Sequence, residues 1–261
     1  MICCRIKAAT ATQLIGHLPQ VRVKTSKPFT NSGVDYSGPF YIKRGIRNKT
    51  LVKCYVALFI CLATKAIHLE LVTDLSTAAY IASVRRSIAR RGLCENIYSD
   101  NGTNCVGAEK ELKEILLKGK SAESISNFAT QQGINFHFIP PCSPHMGGLW
   151  EAGVKSMKFH LRRVVGNAKL TYEEFNTLLC QIEALLNSRP ICLLNNNPDD
   201  FQVLTTGHFL IGTSMLALPD HTAVDVPSNR LSRWSHVQQM IQHLWKCWSH
   251  DYLHQLQQRT K

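Results

Sequence analysis

A short predicted strand that ends in an acidic turn constrains this chain more than any other stretch. Residues 96–104 read Asn-Ile-Tyr-Ser-Asp-Asn-Gly-Thr-Asn. Ile97 and Tyr98 favour a strand, and the Ser-Asp-Asn-Gly residues that follow favour a turn. Such a strand carries Asp100 to the rim of a sheet, where open α/β folds place their sites. Taken alone, the Asp-Asn-Gly residues are better explained as an ordinary turn, since these residue types dominate turns in general.

The hydrophobic pattern around this stretch predicts a mixed α/β fold. The predicted strands are residues 30–42, 52–62, 65–72, 96–99 and 135–139. The predicted helices are 77–91, 109–117, 124–132, 149–165, 172–187 and 231–258, and residues 191–230 are predicted to be irregular. The nearly continuous apolar run 52–62 is typical of a strand buried on both faces. The short joins between the first three strands predict antiparallel neighbours, within a five-stranded sheet flanked by helices and followed by a C-terminal helical extension.

The charge of the chain favours a polyanionic partner. The formal net charge is +12 and the sequence pI is about 9.3, which indicates nucleic acid before an anionic membrane surface. No run approaches the roughly 18 apolar residues of a membrane span, and the first residues have no apolar core of a secretion signal. The ten cysteines form no Cys-x-x-Cys pair, so they are predicted to be reduced thiols of a cytosolic or nuclear protein.

Two further carboxylates change the interpretation of Asp100. Asp35 lies within a predicted strand among apolar neighbours, where it is either an exposed-face residue or part of a charged site. Glu151 lies behind Gly147-Gly148 in the first turn of its predicted helix, a position that the helix dipole favours for any carboxylate.

Basic side chains extend the face of the helix that carries Glu151. Lys155, Lys158 and Arg162 follow at helical spacing along this face. They fit either a phosphate-binding surface or an ordinary solvated face with an ion pair. Three converging carboxylates would give an oxygen-only site suited to Mg²⁺ or Mn²⁺, and a pair of such ions can promote in-line displacement at phosphorus.

The same stretches resemble the catalytic cores of retroviral and LTR-retrotransposon integrases, of the ribonuclease-H-like superfamily, and in particular those of Pao/BEL-type elements. The motifs are Gly33-Val34-Asp35-Tyr36-Ser37-Gly38-Pro39-Phe40, Tyr98-Ser99-Asp100-Asn101-Gly102-Thr103-Asn104 and Pro140-Pro141-x-Ser143-Pro144-His145-x-Gly147-Gly148-x-Trp150-Glu151. Asn187-Ser188-Arg189-Pro190 and His208-Phe209-Leu210-Ile211-Gly212 add to the likeness.

The resemblance implies a catalytic, metal-binding triad of Asp35, Asp100 and Glu151. It also implies that Lys155 and Lys158 contact DNA ends, with Arg162 on the same face, and that the loop 142–148 is mobile and helps to seat a DNA end. The implied partners are element DNA ends, a target duplex and further copies of the chain, without a membrane. The expected localisation is nuclear and cytoplasmic.

Three departures from the family pattern bear on domain organisation. Asp100 and Glu151 are further apart than in the common retroviral pattern, which fits an additional helix near residues 107–130. Only Cys3, Cys4 and a lone His17 precede the core, so residues 1–27 are interpreted as a basic lead-in with at most a remnant of a zinc module. Residues 28–190 are then the catalytic core and 191–261 an irregular segment with a long helix. Since no β-barrel domain follows, the chain is interpreted as an isolated core or a gene fragment.

The leading hypothesis is a metal-dependent polynucleotidyl transferase that trims DNA 3′ ends and joins them to a target duplex. One alternative is an inactive or domesticated DNA-binding and multimerising fragment, and another is a nuclease of RNA–DNA hybrids. His250 and His254 have the spacing of a metal pair, but His243 and Cys247 are placed on neighbouring strips of the helix, so these side chains are predicted to be solvated or packed.

Overall fold

The computed structural model describes residues 18–48, 50–118, 133–140, 144–195, 202–215, 222, 226–227 and 231–256. Its strands are β1 (Asn31–Lys43), β2 (Leu51–Cys61), β3 (Ile67–Val72), β4 (Asn96–Ser99), β5 (Asn135–Phe138), β6 (Pro190–Leu193) and β7 (Val203–Thr205). Its helices are α1 (Gln20–Val23), α2 (Thr77–Arg91), α3 (Thr103–Lys118), α4 (Gly148–Val165), α5 (Tyr172–Asn187), α6 (His208–Ile211) and α7 (Arg233–Leu256), with a 3₁₀ turn at Pro144–Gly147 before α4.

The first five strands form one sheet in the order β3-β2-β1-β4-β5. β1 pairs antiparallel with β2, and β2 pairs antiparallel with β3, as the short joins predicted. β1 and β4 are parallel, and so are β4 and β5. This mixed five-stranded sheet, with helices around it and a long C-terminal helix, confirms the predicted α/β architecture.

Helices cover both faces of the sheet. On one face, α4, α5 and α7 bury a large apolar cluster against alternate residues of β2 and β3; it includes Leu58, Ile60, Trp150, Met157, Leu179 and Leu244. On the other face, α2 and α3 bury a second cluster; it includes Val34, Phe59, Tyr80, Val84, Ile97 and Cys105. The strand β2 therefore contributes to both cores, as its continuous apolar sequence predicted.

The outer edge of β3 is covered by side chains of α5. The Asn187 side chain donates to the Ile67 carbonyl oxygen and accepts from the Ile67 amide, both at 2.8 Å. Glu183 Oε2 accepts from the Leu69 amide at 2.7 Å. An edge strand otherwise exposes unpaired backbone groups that can pair with another chain, so these two polar residues of an apolar helix close the edge of the sheet.

The predicted start of the helix after the acidic turn is wrong. Helix α3 begins at Thr103, directly after the acidic turn, although the prediction placed its start at residue 109. Its first turns pack closely on α2, since a Cβ added at Gly107 would lie 2.5 Å from Thr77 Oγ1. This tertiary contact overrides the low helix propensity of the Thr-Asn-Cys-Val-Gly sequence.

The segment 191–230 was predicted to be irregular, but it contains the β6–β7 pair and α6. Distant hydrogen bonds anchor these elements, because the Asn187 carbonyl accepts from Thr206 Oγ1 and from the Gly207 amide, both at 2.8 Å. The predicted helix 124–132 and most of the lead-in 1–27 lie outside the described residues.

None of the helices in the described part of the chain combines the length and apolar character needed to cross a membrane. The cysteines whose positions are described are free thiols; Cys54, Cys61, Cys94 and Cys105 are buried, whereas Cys180 and Cys192 are exposed.

Candidate active site

Asp35 lies on β1, and Asp100 directly follows the neighbouring parallel strand β4. The register of β1 with β4 pairs Gly33 with Tyr98, and each aspartate follows its register partner by two residues. Because side chains alternate along a strand, Asp35 projects from the same face of β1 as Gly33. That face is the one covered by α4, since a Cβ added at Gly33 would meet Trp150.

Trp150 fixes the start of α4 against β1 and thereby places Glu151 near Asp35. The Trp150 ring lies so close to the backbone that a Cβ at Gly33 would be 2.3 Å from Trp150 Cε3. Further along α4, a Cβ at Gly153 would be 3.3 Å from Leu58, the register partner of Asp35. Any side chain at position 33 would displace the helix that carries Glu151.

Sequence reasoning missed these positioning roles of Gly33, Trp150 and Gly153. A signal was available, since Gly33 precedes Asp35 by two residues on the same strand face and Trp150 directly precedes Glu151.

Local backbone groups orient the two aspartates. One oxygen of Asp35 accepts from the Tyr36 amide at 2.7 Å. One oxygen of Asp100 accepts from the Gly102 amide at 3.2 Å, as expected for an acidic turn. The Asn101 side chain donates to the Ile139 carbonyl at 2.8 Å and so ties this turn to the end of β5.

The three carboxylates are electrostatically coupled. Burial raises the pKa of Asp35 to about 6; the hydrogen bond from Tyr36 opposes this rise, the charges of Asp100 and Glu151 add to it, and the charge of Lys158 opposes it. Asp100 and Glu151 are exposed, whereas Asp35 is partly buried. The carboxylates of Asp100 and Glu151 thus act as like charges on Asp35 at the rim of the sheet, an arrangement that attracts a cation.

The donor set fits a hard divalent cation. Carboxylate oxygens are the ligands that Mg²⁺ prefers, and it commonly takes one or two of them together with substrate phosphate oxygens. Within the described ranges, no three His, Cys, Asp or Glu side chains lie close enough together to hold one ion between them. Binding of a metal ion by Asp35, Asp100 and Glu151 stays a prediction.

One basic residue of α4, Lys158, acts on the carboxylate of Asp35. Lys155 and Arg162 are exposed, and Lys158 is partly buried and within electrostatic range of Asp35. Their neighbour Arg163 has a different role, because it forms an ion pair with Asp251 of α7. A contact with nucleic acid at Lys155, Lys158 and Arg162 remains a prediction.

Of the loop 142–148, the structure describes the residues from Pro144 onward, where the 3₁₀ turn begins. The mobility of this loop stays a prediction. On α7, His243 Nε2 lies 3.4 Å from Cys247 Sγ, so the placement of these two residues on separate strips is wrong. The His250 side chain is 72% exposed, and the side chain of His254 lies outside the described part.

A family of unknown function (DUF5641) matches residues 232–261, which include α7. No curated protein gives a significant match. Among solved structures, the chain is similar to a chain of the simian T-cell lymphotropic virus intasome in complex with the PP2A regulatory subunit B56 gamma. The identity is 15%, the TM-score is 0.46, and the match covers 81% of this chain and 65% of the other.

The chain is also similar to the HTLV-2 integrase catalytic core domain in complex with magnesium, in a trimeric form. The identity is 14%, the TM-score is 0.40, and 67% of this chain and 93% of the other are covered. The chain spans about 65% of the length of the intasome chain that it matches.

Proposed function

We propose that this chain is the catalytic core of a retrotransposon integrase of the Pao/BEL type. It would act as a Mg²⁺-dependent polynucleotidyl transferase that trims the 3′ ends of element DNA and joins them to a target duplex. The observation that supports the proposal is that Asp35 of β1 lies within electrostatic range of two other carboxylates, Asp100 directly after β4 and Glu151 in the first turn of α4.

Each residue has a separate task in this proposal. Asp35 and Asp100, fixed by their backbone hydrogen bonds, would hold divalent ions, and Glu151 would complete the coordination from α4. When bound, these ions supply charge neutralisation at the reacting phosphate. Lys155 and Lys158 would hold neighbouring phosphates so that the attacking and leaving oxygens are in line, because phosphoryl transfer depends mainly on positioning and electrostatics.

The proposed partners follow from the charge of the chain. Contacts made mainly to phosphates would give salt-sensitive binding with little sequence preference. Joining two element ends to one duplex would need several copies of the chain, so a homo-oligomer is part of the proposal. A DNA target also implies nuclear as well as cytoplasmic localisation.

A strand-transfer assay with Mg²⁺ and a labelled duplex that carries an element end tests this proposal. Glu151→Gln should reduce strand transfer by about 100-fold or more, since it removes a charged group that acts on the transition state. The matched control is Glu95→Gln, which neutralises an exposed carboxylate next to β4 and should leave the rate unchanged.

Wild-type strand transfer by Glu151→Gln would refute the mechanism. If the wild-type chain binds DNA but joins no ends, the DNA-binding and multimerising alternative would hold instead. Faster cleavage of an RNA–DNA hybrid than strand transfer would favour the nuclease alternative.

A further inference from the structure

A cleft lies between α4, the residues after α5, and α7. Its volume is about 640 Å³, within the range of protein sites for small ligands. The lining side chains that matter here are Ser156, His160 and Arg163 of α4, Arg189 beyond α5, and Trp248 and Tyr252 of α7. The three lining residues of α4 project from a different face of this helix, about a third of a turn away from Glu151, Lys155 and Arg162.

Arg189 is a partly buried cation whose charge is not matched locally. It donates to Ser156 Oγ at 2.9 Å. In the described part of the chain, no carboxylate lies within ion-pair distance of its guanidinium. Burial lowers the pKa of Arg189, and Tyr252 partly opposes this effect. Buried charges are normally paired, so this guanidinium offers its remaining N–H groups to an anionic ligand.

The other charged groups leave the cleft with a positive balance. Arg163 forms an ion pair with Asp251 at the rim, where both side chains are 35% exposed. His160 is 7% exposed; burial lowers its pKa to about 4, the charges of Arg189 and Arg163 act in the same direction, and Asp251 opposes them. At neutral pH the two arginines therefore exceed the one aspartate by a single positive charge.

One wall of the cleft is aromatic. Trp248 and Tyr252 stack on each other, with ring centroids 5.2 Å apart and an interplanar angle of 13°. A planar heterocycle stacks favourably on such a surface, and this contact is largely independent of base identity.

We propose that this cleft binds a phosphate group of a nucleic-acid strand through Arg189, with the adjoining base against Trp248 and Tyr252. An arginine suits this ligand because its planar fork can donate two parallel hydrogen bonds to phosphate oxygens. None of the three coupled carboxylates lines the cleft. Only the choice of nucleic acid as the source of the phosphate rests on the proposed function.

The test is a titration of the full chain without divalent metal, with a 5′-phosphorylated thymidine dinucleotide in one arm and inorganic phosphate in the other. Amide NMR signals of Ser156 and His160 should shift in both arms. The dinucleotide should bind at least about tenfold more tightly, because it adds stacking to the phosphate contact.

Arg189→Gln should weaken both ligands at least about tenfold, since it removes the charge and the fork of donors. The matched control is Arg85→Gln, which removes an exposed charge from α2 on the opposite face of the sheet and should change neither affinity. Trp248→Leu should weaken the dinucleotide and leave inorganic phosphate unchanged, which provides a second variant that does not depend on Arg189.

Equal affinities of Arg189→Gln and Arg85→Gln for inorganic phosphate would overturn the site. Equal wild-type affinities for the dinucleotide and for inorganic phosphate would overturn the assignment to nucleic acid. Asp35→Asn separates this proposal from the catalytic one, because it should bind the dinucleotide like the wild type while losing strand transfer.

Discussion

Two acidic clusters, both built from a strand and a helix, behave in opposite ways in this molecule. At the edge of β3, Glu70 and Glu183 are nearly buried and lie among cations: His68 contacts both, at 3.0 and 3.1 Å, Arg86 contacts Glu70 at 2.6 Å, and Arg91 contacts Glu183. At the rim of β1 and β4, by contrast, Asp35 faces the like charges of Asp100 and Glu151.

The pKa values of Glu70 and Asp35 shift in opposite directions in the two clusters. Burial alone would raise the pKa of Glu70, but hydrogen bonds from His68 and Arg86 outweigh it and the pKa is lowered. The pKa of Asp35 is raised instead. The first cluster ties α2 and α5 to the edge strand and is satisfied internally, whereas the second gains most from a ligand that brings positive charge.

The largest effect is expected from breaking the satisfied cluster. Glu183→Ala would leave His68, Arg91 and the Leu69 amide without their buried partner, and should lower the free energy of unfolding by about 3–5 kcal/mol. Urea denaturation measures this change. Glu173→Ala, at an exposed position of the same helix, should change it by less than about 1 kcal/mol; equal losses in the two variants would contradict the contrast.

The second prediction tests how the carboxylate rim is positioned. Gly33→Ala would place a Cβ 2.3 Å from Trp150 Cε3, so it should cost about 1–3 kcal/mol of stability through overpacking. Strand transfer should also fall, because α4 and Glu151 must move. In Gly45→Ala the added Cβ meets nothing within 4 Å. If thermal unfolding and strand transfer are the same in both variants, Gly33 does not have this role.

The third prediction sharpens the comparison through the proton affinity of Asp35. Burial is the main cause of the raised pKa of Asp35, and the charge of Asp100 adds to it, so Asp100→Asn should lower this pKa below about 6. A ¹³C NMR titration of the aspartate carboxyl groups without metal measures the pKa of Asp35.

The same pKa makes stability depend on pH. The folded state binds more protons than the unfolded state between the ordinary pKa of 3.8 and about 6, so the free energy of unfolding should decline as pH rises through this range. The decline should be smaller in Asp100→Asn; an unchanged Asp35 pKa would show that the two carboxylates are not coupled.

The smallest expected effect is the pH dependence of the satisfied cluster. Burial by itself lowers the pKa of His68, but hydrogen bonds to Glu183 and Glu70 outweigh it and raise the pKa above 6.5. Its stabilisation is therefore fully present below pH 6.5 and is lost as pH rises through the folded-state pKa. Chemical denaturation between pH 6 and 9 should show this decline in the wild type and not in His68→Gln.

The sequence predicted helix bounds correctly where capping residues mark both ends of the helix. The helix predicted for 77–91 has those bounds in the structure, because Ser76 accepts from the Ala79 amide at its start and Gly92 takes a φ of 93° at its end. The start of α3 and the β6–β7 pair could not be predicted in the same way. Packing on α2 determines the first, and hydrogen bonds to the distant Asn187 anchor the second.

The candidate site was predictable as a set of residue types but not as an arrangement. Motifs singled out Asp35, Asp100 and Glu151, and strand propensity with turn composition predicted a sheet to carry the aspartates. Nothing in the spacing of the chain revealed that Glu183 pairs with Arg91 at the edge of β3. Nor did it reveal that Arg189 lines the same cleft as Trp248 and Tyr252.

The sequence by itself determined the five strands of the main sheet and most of the long helices, because hydrophobic periodicity and turn propensity act over a few residues. Only the tertiary structure decided which charges are paired and which repel. That outcome depends on distances between remote residues, and those distances are set by close packing such as the fit of Trp150 over Gly33.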